Sequence, residues 1–267
     1  MININRFIGV FLFALSLSAQ AQSDPSFAHV QLDTHDSYEF PLADKISFSL
    51  FTQDAMASAK VLEQWSGLEY KVIDDNSIAV TLYQNKPTFN GSGDLKYKND
   101  SFVIDISEQS TQNFIEGFTV PENSSNVLVN IEAYVSRFIE NPTYEHGFNI
   151  ASRVADNKSG DCTEYAVLTT ALSRALDKPA RLVFGTVFIE SENGVEAVGH
   201  AWTEILHQQN WHIIDAALFG IEDGTNSSRV YYLPISTLVD EGPGFGFSIA
   251  SSMVVMPYKI QGLRSAP

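Results

Sequence analysis

The sequence predicts an α+β fold in which one helix packs against a sheet of consecutive antiparallel strands. Residues 162–176 place apolar side chains at helical spacing, whereas residues 182–217 form runs rich in β-branched and aromatic residues. Turn-like segments at 191–194 and 208–210 separate these runs. Strands that follow one another through short turns pair antiparallel, which is typical of α+β rather than α/β proteins.

The start of the chain is typical of a secretory signal peptide. Arg6 supplies a positive charge, an apolar run extends from Phe7 to Leu17, and Ala19-Gln20-Ala21 matches a cleavage site. The run is too short to cross a bilayer. We therefore expect residues 1–21 to be removed and the mature protein to be periplasmic or secreted. An uncleaved interfacial anchor or a buried strand is the alternative.

The net charge restricts the partners of the protein. The full chain has a formal net charge of −16, and loss of the single arginine in residues 1–21 makes it −17. Nucleic acids and anionic lipid surfaces require a basic face, so neither is expected as a partner. No segment after residue 21 is apolar and long enough for membrane insertion.

The mature chain divides into two predicted regions, with a boundary at Pro121. Residues 22–120 are expected to be a β-rich N-terminal region, and residues 121–267 a second domain. The expected N-terminal elements are strands at 45–51, 68–73, 77–83 and 101–106, a helix at 57–65 and a loop at 86–100.

In the second region, helices alternate with polar breaks before the strands begin. The glycine-rich segment 242–246 is interpreted as a mobile loop, because no strand–helix context is evident around it. The expected elements are helices at 127–139, 150–154 and 162–176, and strands at 182–190, 199–207, 211–217, 230–235 and 253–260.

The single cysteine, Cys162, lies where the most strongly predicted helix begins. Asp161 suits an N-cap, and Glu164 completes a capping box. Free N–H groups at a helix start stabilise a thiolate. With one cysteine no internal disulfide is possible, so the thiol is either buried and inert or kept for reactivity.

His200 and Asp215 are the candidate base and orienter for this thiol. In an antiparallel hairpin whose turn is centred near 208–209, the sequence numbers of two residues that face each other add up to about 417. Asp215 then lies opposite Trp202 and diagonal to His200, on one face of the sheet. We expect the helix that begins at Cys162 to pack on that face. Taken singly, a packed histidine and a turn aspartate remain the commoner interpretations.

Four blocks in order resemble the transglutaminase-like superfamily, over about residues 125–235. The resemblance implies a papain-like core with Cys162 as nucleophile, His200 as base and Asp215 as orienter, as in exported bacterial members rather than animal cross-linking enzymes. Asp177-Lys178 and Ala216-Ala217 depart from the usual pattern. The blocks are Gly160-Asp161-Cys162-Thr163-Glu164-Tyr165-Ala166, residues 171–181, Gly199-His200-Ala201-Trp202-Thr203-Glu204 and Trp211-His212-Ile213-Ile214-Asp215.

Other residues are candidates for contacts with the substrate. Trp202, Tyr134 and Tyr144 are candidates for substrate binding or for the oxyanion site, together with the Cys162 backbone N–H. No metal site and no cofactor are expected. We predict a cysteine hydrolase or acyltransferase that acts on peptide or side-chain amides of a protein or peptide substrate, with hydrolysis favoured. A non-catalytic binding or scaffold module is the alternative, and a redox-sensing thiol lacks a resolving cysteine.

Overall fold

A computed structural model describes residues 30–84, 87–121, 126–143, 148–219 and 229–266. The predicted signal peptide lies outside these residues. Within them the chain forms six α-helices, one 3₁₀ turn at Leu95–Tyr97 and thirteen strands. The helices are α1 (Ala55–Leu62), α2 (Gln109–Glu116), α3 (Val127–Phe138), α4 (Ala151–Asn157), α5 (Cys162–Ala175) and α6 (Phe245–Val255). The strands are β1 (Gln31–Thr34), β2 (Lys45–Phe51), β3 (Trp65–Ser66), β4 (Leu68–Asp74), β5 (Ser77–Tyr83), β6 (Thr88–Phe89), β7 (Asn141–Pro142), β8 (Ser159–Gly160), β9 (Ala180–Ser191), β10 (Gly194–His207), β11 (Asn210–Ile214), β12 (Arg229–Thr237) and β13 (Lys259–Ser265).

The four-stranded sheet has the order β11-β10-β9-β12 and is antiparallel throughout. The predicted α+β class and the meander from β9 to β11 are therefore confirmed. Thr203 pairs with Ile214, so the numbers of paired residues sum to 417 as predicted. The hairpin turn consists of Gln208 and Gln209, whose φ angles are 50° and 69°. Two positive φ angles give the turn a twist that matches that of the flanking strands.

The five-stranded sheet has the order β1-β13-β2-β5-β4 and contains both ends of the described chain. Strand β13 runs parallel to β1 and antiparallel to β2. Packing thus crosses the predicted boundary at Pro121, because a strand from the second region completes the sheet of the first. Residues of the first region likewise pack in the second, since Val103, Ile104 and Phe114 belong to the hydrophobic core around α5.

The strand predicted at 101–106 is absent from the described structure of that segment. The N–H of Ile104 donates to Ser101 Oγ at 3.0 Å, and the N–H of Ile106 donates to Asp100 Oδ1 at 2.6 Å. Side chains that capture backbone donors in this way compete with a strand ladder. Helix α2, which follows, was not predicted.

The prediction for residues 242–260 is also wrong. Gly244 is the N-cap of α6, so the predicted loop leads directly into a helix, and the last strand begins at Lys259 rather than residue 253. The hydroxyls of Ser251 and Ser252 donate to the carbonyls of Phe247 and Ser248, four residues earlier. These bonds satisfy the serine hydroxyls within the helix.

Helix α5 packs on one face of the four-stranded sheet. Thr203 on β10 donates to the carbonyl of Ala166 at 2.8 Å, and Ala201 and Ile205 join the same core. The residues between them, including Trp202, face the other side, where Trp65 of the N-terminal region packs. The sheet is therefore covered on both faces.

A buried ion pair anchors the N-terminal region to this second face. Nη2 of Arg181 on β9 lies 2.6 Å from Oε2 of Glu204 on β10, and both side chains are almost fully buried. Trp65 donates its indole N–H to Glu204 at 2.7 Å, and the ring of Phe89 lies 3.1 Å from the Arg181 guanidinium carbon. Removing one partner of such a buried ion pair strongly destabilises the fold, because the other charge stays buried without a counter-charge.

We expect Glu204→Gln to lower the free energy of unfolding by about 3–5 kcal/mol, because Arg181 is left buried without a counter-charge. Glu140→Gln is the matched control: the Glu140–Lys158 pair has the same 2.6 Å separation but is exposed, so its loss should cost less than about 1 kcal/mol. Chemical denaturation of both variants measures the difference. Equal losses would contradict the structural role of the buried pair.

Candidate active site

Helix α5 begins at Cys162, as predicted. Asp161 is the N-cap, and its carboxylate accepts the N–H of Thr163 at 2.9 Å. Glu164 closes the capping box by accepting the N–H of Asp161 at 3.0 Å. The thiol therefore stands at the positive end of a fourteen-residue helix, where a thiolate is stabilised.

Glu164 holds the turn before the cysteine in place. Its side chain also accepts the N–H of Asn149 at 3.0 Å, and it is only 1% exposed. Gly160 makes room for this carboxylate: its φ is +158°, and a Cβ there would lie 2.3 Å from the Glu164 Cβ. Burial raises the pKa of Glu164 to about 7, against the N–H hydrogen bonds that lower it, and the neighbouring Asp161 charge adds to the rise.

His200 and Asp215 form a buried pair. The His200 Nε2 lies 2.7 Å from Asp215 Oδ2, with the residues 9% and 3% exposed. Cys162 also hydrogen-bonds to the His200 side chain. Burial acts to lower the pKa of His200, but the charges and hydrogen bonds of Asp215 and Cys162 outweigh it and hold the pKa well above 6.5.

The three predicted residues thus come together, but not by the predicted packing. We expected α5 to lie on the face that carries His200, whereas it packs on the opposite face, against Ala201 and Thr203. Strand β11 pairs with β10 only from Thr203 to His207, so β10 has no β11 neighbour at His200. The Cys162 side chain at the helix start nevertheless hydrogen-bonds to the imidazole. The alternation of side chains along a strand predicts which face each residue is on, but not where the neighbouring strand ends.

Asp215 has further partners that the sequence did not indicate. Tyr232 on β12 donates its hydroxyl to Asp215 Oδ2 at 3.0 Å. The N–H of Leu218 approaches Oδ1 at 3.3 Å, and Glu132 on α3 accepts the backbone N–H of Asp215 at 2.9 Å. Tyr232 lies in an ordinary apolar strand pattern and Glu132 in an amphipathic helix, so neither stands out without the fold.

The additional candidates occupy other positions. Trp202 is fully buried, with its ring centroid 6.3 Å from that of His200, which does not fit a role in substrate binding. Its indole N–H has no hydrogen-bond partner among the described residues. Tyr134 donates its hydroxyl to the carbonyl of Phe114 at 2.6 Å, which does not fit an oxyanion donor. Tyr144 lies outside the described residues.

Other possible ligand sites lie away from this cluster. In the described segments, no group of three or more His, Cys, Asp or Glu side chains is arranged to hold a metal ion. A cavity of about 400 Å³ is lined by residues that include Lys96, Asp100 and Glu241, and by none of the three site residues. Because Glu241 pairs with Arg174 near the end of α5, this cavity lies close to the opposite end of the helix from Cys162.

The family model of the transglutaminase-like superfamily matches residues 112–216. This segment includes Cys162, His200 and Asp215. Over residues 112–216, under half of the chain, the sequence is thus similar to this superfamily. The match begins inside α2, before the predicted boundary at Pro121.

The solved structures give only distant likenesses. A candidate cysteine protease from Cytophaga hutchinsonii is 15% identical, with 85% of this chain and 84% of that chain covered and a TM-score of 0.44. The periplasmic domain of TgpA from Pseudomonas aeruginosa, bound to ethylmercury, is also 15% identical, with 68% and 74% covered and a TM-score of 0.40. The comparison with curated proteins finds no match.

The raised pKa of Glu164 predicts a specific dependence of stability on pH. Its folded-state value of about 7 exceeds the ordinary value of 4.5, so its contribution to stability is fully present below about pH 4.5 and is lost as the pH rises through 7. The melting temperature of the wild type should therefore approach that of Glu164→Gln between pH 4.5 and 8. Differential scanning calorimetry measures both, with Glu140→Gln as the control that shows no such convergence. Parallel curves would argue against a buried, proton-binding Glu164.

Proposed function

We propose that this protein is an exported cysteine enzyme that cleaves or transfers the acyl group of a peptide or side-chain amide. The observation that carries the proposal is the double pairing of His200, with Asp215 on one side of the imidazole and the chain's single cysteine on the other. The transglutaminase-like core, a fold typically used by cysteine enzymes, supports the same class. A single thiol, a buried base and a buried carboxylate are the parts of a nucleophilic triad.

The proposed reaction proceeds through a thioester. Because Nε2 faces Asp215, Nδ1 is the ring nitrogen left for the thiol, and Asp215 fixes this tautomer. The Cys162 sulfur attacks the amide carbonyl, and the proton taken up by His200 passes to the departing amine. An acyl acceptor then loses a proton to His200 and attacks the thioester, which releases the product and restores the thiol.

The backbone N–H of Cys162 is the proposed oxyanion donor. Asp161 occupies the N–H groups of Thr163 and Glu164, and Glu164 occupies that of Asp161. The Cys162 N–H takes no part in these capping-box bonds. It is therefore placed to bind the negative charge that develops on the carbonyl oxygen next to the sulfur.

We favour water as the acyl acceptor, because no residue pattern marks an amine site. The product is then a carboxylic acid, and the enzyme is a protease or amidase. Mass spectrometry of reactions with peptide mixtures, with and without a primary amine, separates the two outcomes. An amine-linked product formed in preference to the acid would favour a transglutaminase instead.

Export rests on the sequence of residues 1–21. None of the helices in the described residues is long and apolar enough to span a membrane. The native protein should begin near Gln22 when its N-terminus is sequenced. A retained Met1 in the membrane fraction would indicate an anchor.

The rival proposal is a binding or scaffold module that keeps the fold without turnover. Labelling of Cys162 by a small thiol-directed electrophile separates the two classes. We expect rapid labelling of the wild type at neutral pH and a rate at least about tenfold lower in His200→Ala, because the imidazole that pairs with the thiolate is lost. His212→Ala is the matched control, since His212 is an exposed histidine on β11 that should leave the rate unchanged. Equal labelling of the wild type and His200→Ala would support the binding module.

A further inference from the structure

Tyr232 is a buried residue whose hydroxyl hydrogen-bonds to the same Asp215 oxygen that His200 contacts. It is 1% exposed and donates its hydroxyl to Asp215 Oδ2 at 3.0 Å. The same oxygen lies 2.7 Å from His200 Nε2. Two donors from different strands thus converge on one carboxylate oxygen.

Tyr232 reaches this oxygen across an intervening strand. It lies on β12, which pairs with β9, while His200 lies on β10 on the other side of β9. On β9, Gly185 pairs with His200, and a Cβ there would lie 2.5 Å from Cη2 of Trp202. The missing side chain leaves space for the Trp202 ring to lie across β9. The Tyr232 ring packs edge-on against the Trp202 ring, with the two ring centroids 5.2 Å apart.

We propose that Tyr232 is a positioning residue of the proposed triad, which fixes the Asp215 carboxylate so that it orients His200. The proposal rests on the proposed function of the same site. In this proposal Tyr232 does not contact the substrate.

The carboxylate of Asp215 is held at both oxygens. Leu218 N–H approaches Oδ1 and Tyr232 binds Oδ2, so rotation of the carboxylate away from His200 would break both contacts. The other titratable groups around this oxygen are His200 on β10, with Cys162 of α5 behind it, and Glu132 on α3 at the Asp215 backbone.

The Tyr232 hydroxyl also has an electrostatic consequence. A hydrogen bond to a carboxylate spreads and stabilises its negative charge. Without that bond the charge on Oδ2 attracts the imidazolium more strongly. Loss of the hydroxyl should therefore make His200 retain its proton to a higher pH.

Tyr232→Phe tests this inference, with Tyr231→Phe as a closely matched control. Tyr231 is the adjacent residue on β12, is equally buried and donates its hydroxyl to the carbonyl of Ala43 at 3.0 Å, away from the site. NMR titration of the His200 ring in the full chain gives the midpoint of its protonation. We expect Tyr232→Phe to raise this midpoint by about half a unit or more, and Tyr231→Phe to leave it unchanged.

A second comparison tests whether the effect passes through Asp215. In an Asp215→Asn background, Tyr232→Phe should no longer move the His200 midpoint, because the charge that transmits the effect is absent. A midpoint in Tyr232→Phe equal to or below that of the wild type would overturn the inference, whatever the variant's stability. A shift that persists in the Asp215→Asn background would overturn it as well.

Failure of this inference differs from failure of the proposed function. If wild-type Cys162 reacts rapidly with iodoacetamide, His200→Ala slows that reaction and Tyr232→Phe leaves the His200 midpoint unchanged, only the role of Tyr232 is lost. If Cys162 reacts as fast in His200→Ala as in the wild type, the proposed triad and the role of Tyr232 both fail.

Discussion

The burial of the Asp215 carboxylate is the constraint around which the candidate site is arranged. A carboxylate removed from water is costly unless donors surround it, and here the donors come from different elements. His200 and Tyr232 supply side-chain donors, Leu218 supplies an N–H, and Glu132 holds the backbone of the same residue. The positions of β10 and β12 thus depend on hydrogen bonds to one carboxylate, and that of α3 on a hydrogen bond to the backbone of the same residue.

Other buried carboxylates join parts of this acidic chain in the same way. Glu204 accepts from Arg181 and from Trp65 of the N-terminal region. Glu190, which is fully buried at the far end of β9, accepts the N–H of Leu42 and the hydroxyl of Tyr38. Glu164 joins the start of α5 to Asn149. Glu204 and Glu190 accept from residues distant in sequence, whereas Glu164 combines the local donors of its capping box with Asn149. Tertiary contacts are therefore needed to satisfy all three buried carboxyl groups.

The central elements could be predicted because their signals are local. The capping box fixes the start of α5 at Cys162, and the two-residue turn fixes the register that places His200 and Asp215 on one face. The remaining features depend on distant contacts. The segment 101–106 follows a strand pattern, yet Asp100 and Ser101 capture its backbone donors. No local pattern indicates that α5 packs on the sheet face opposite to His200. The hydrogen bond from Tyr232 depends on a strand that follows Asp215 in sequence but lies beyond β9.

The place of β13 in the N-terminal sheet has a consequence for how the chain folds. This strand, at Lys259–Ser265, lies between β1 and β2, more than two hundred residues earlier. During synthesis the ribosome releases β1 and β2 long before the strand that separates them, so that sheet cannot reach its final strand order until β13 has emerged. Pairing across such a long loop has a high contact order and is intrinsically slow. Until then β1 and one edge of β2 lack the strand that pairs with them, and unpaired strand edges favour aggregation.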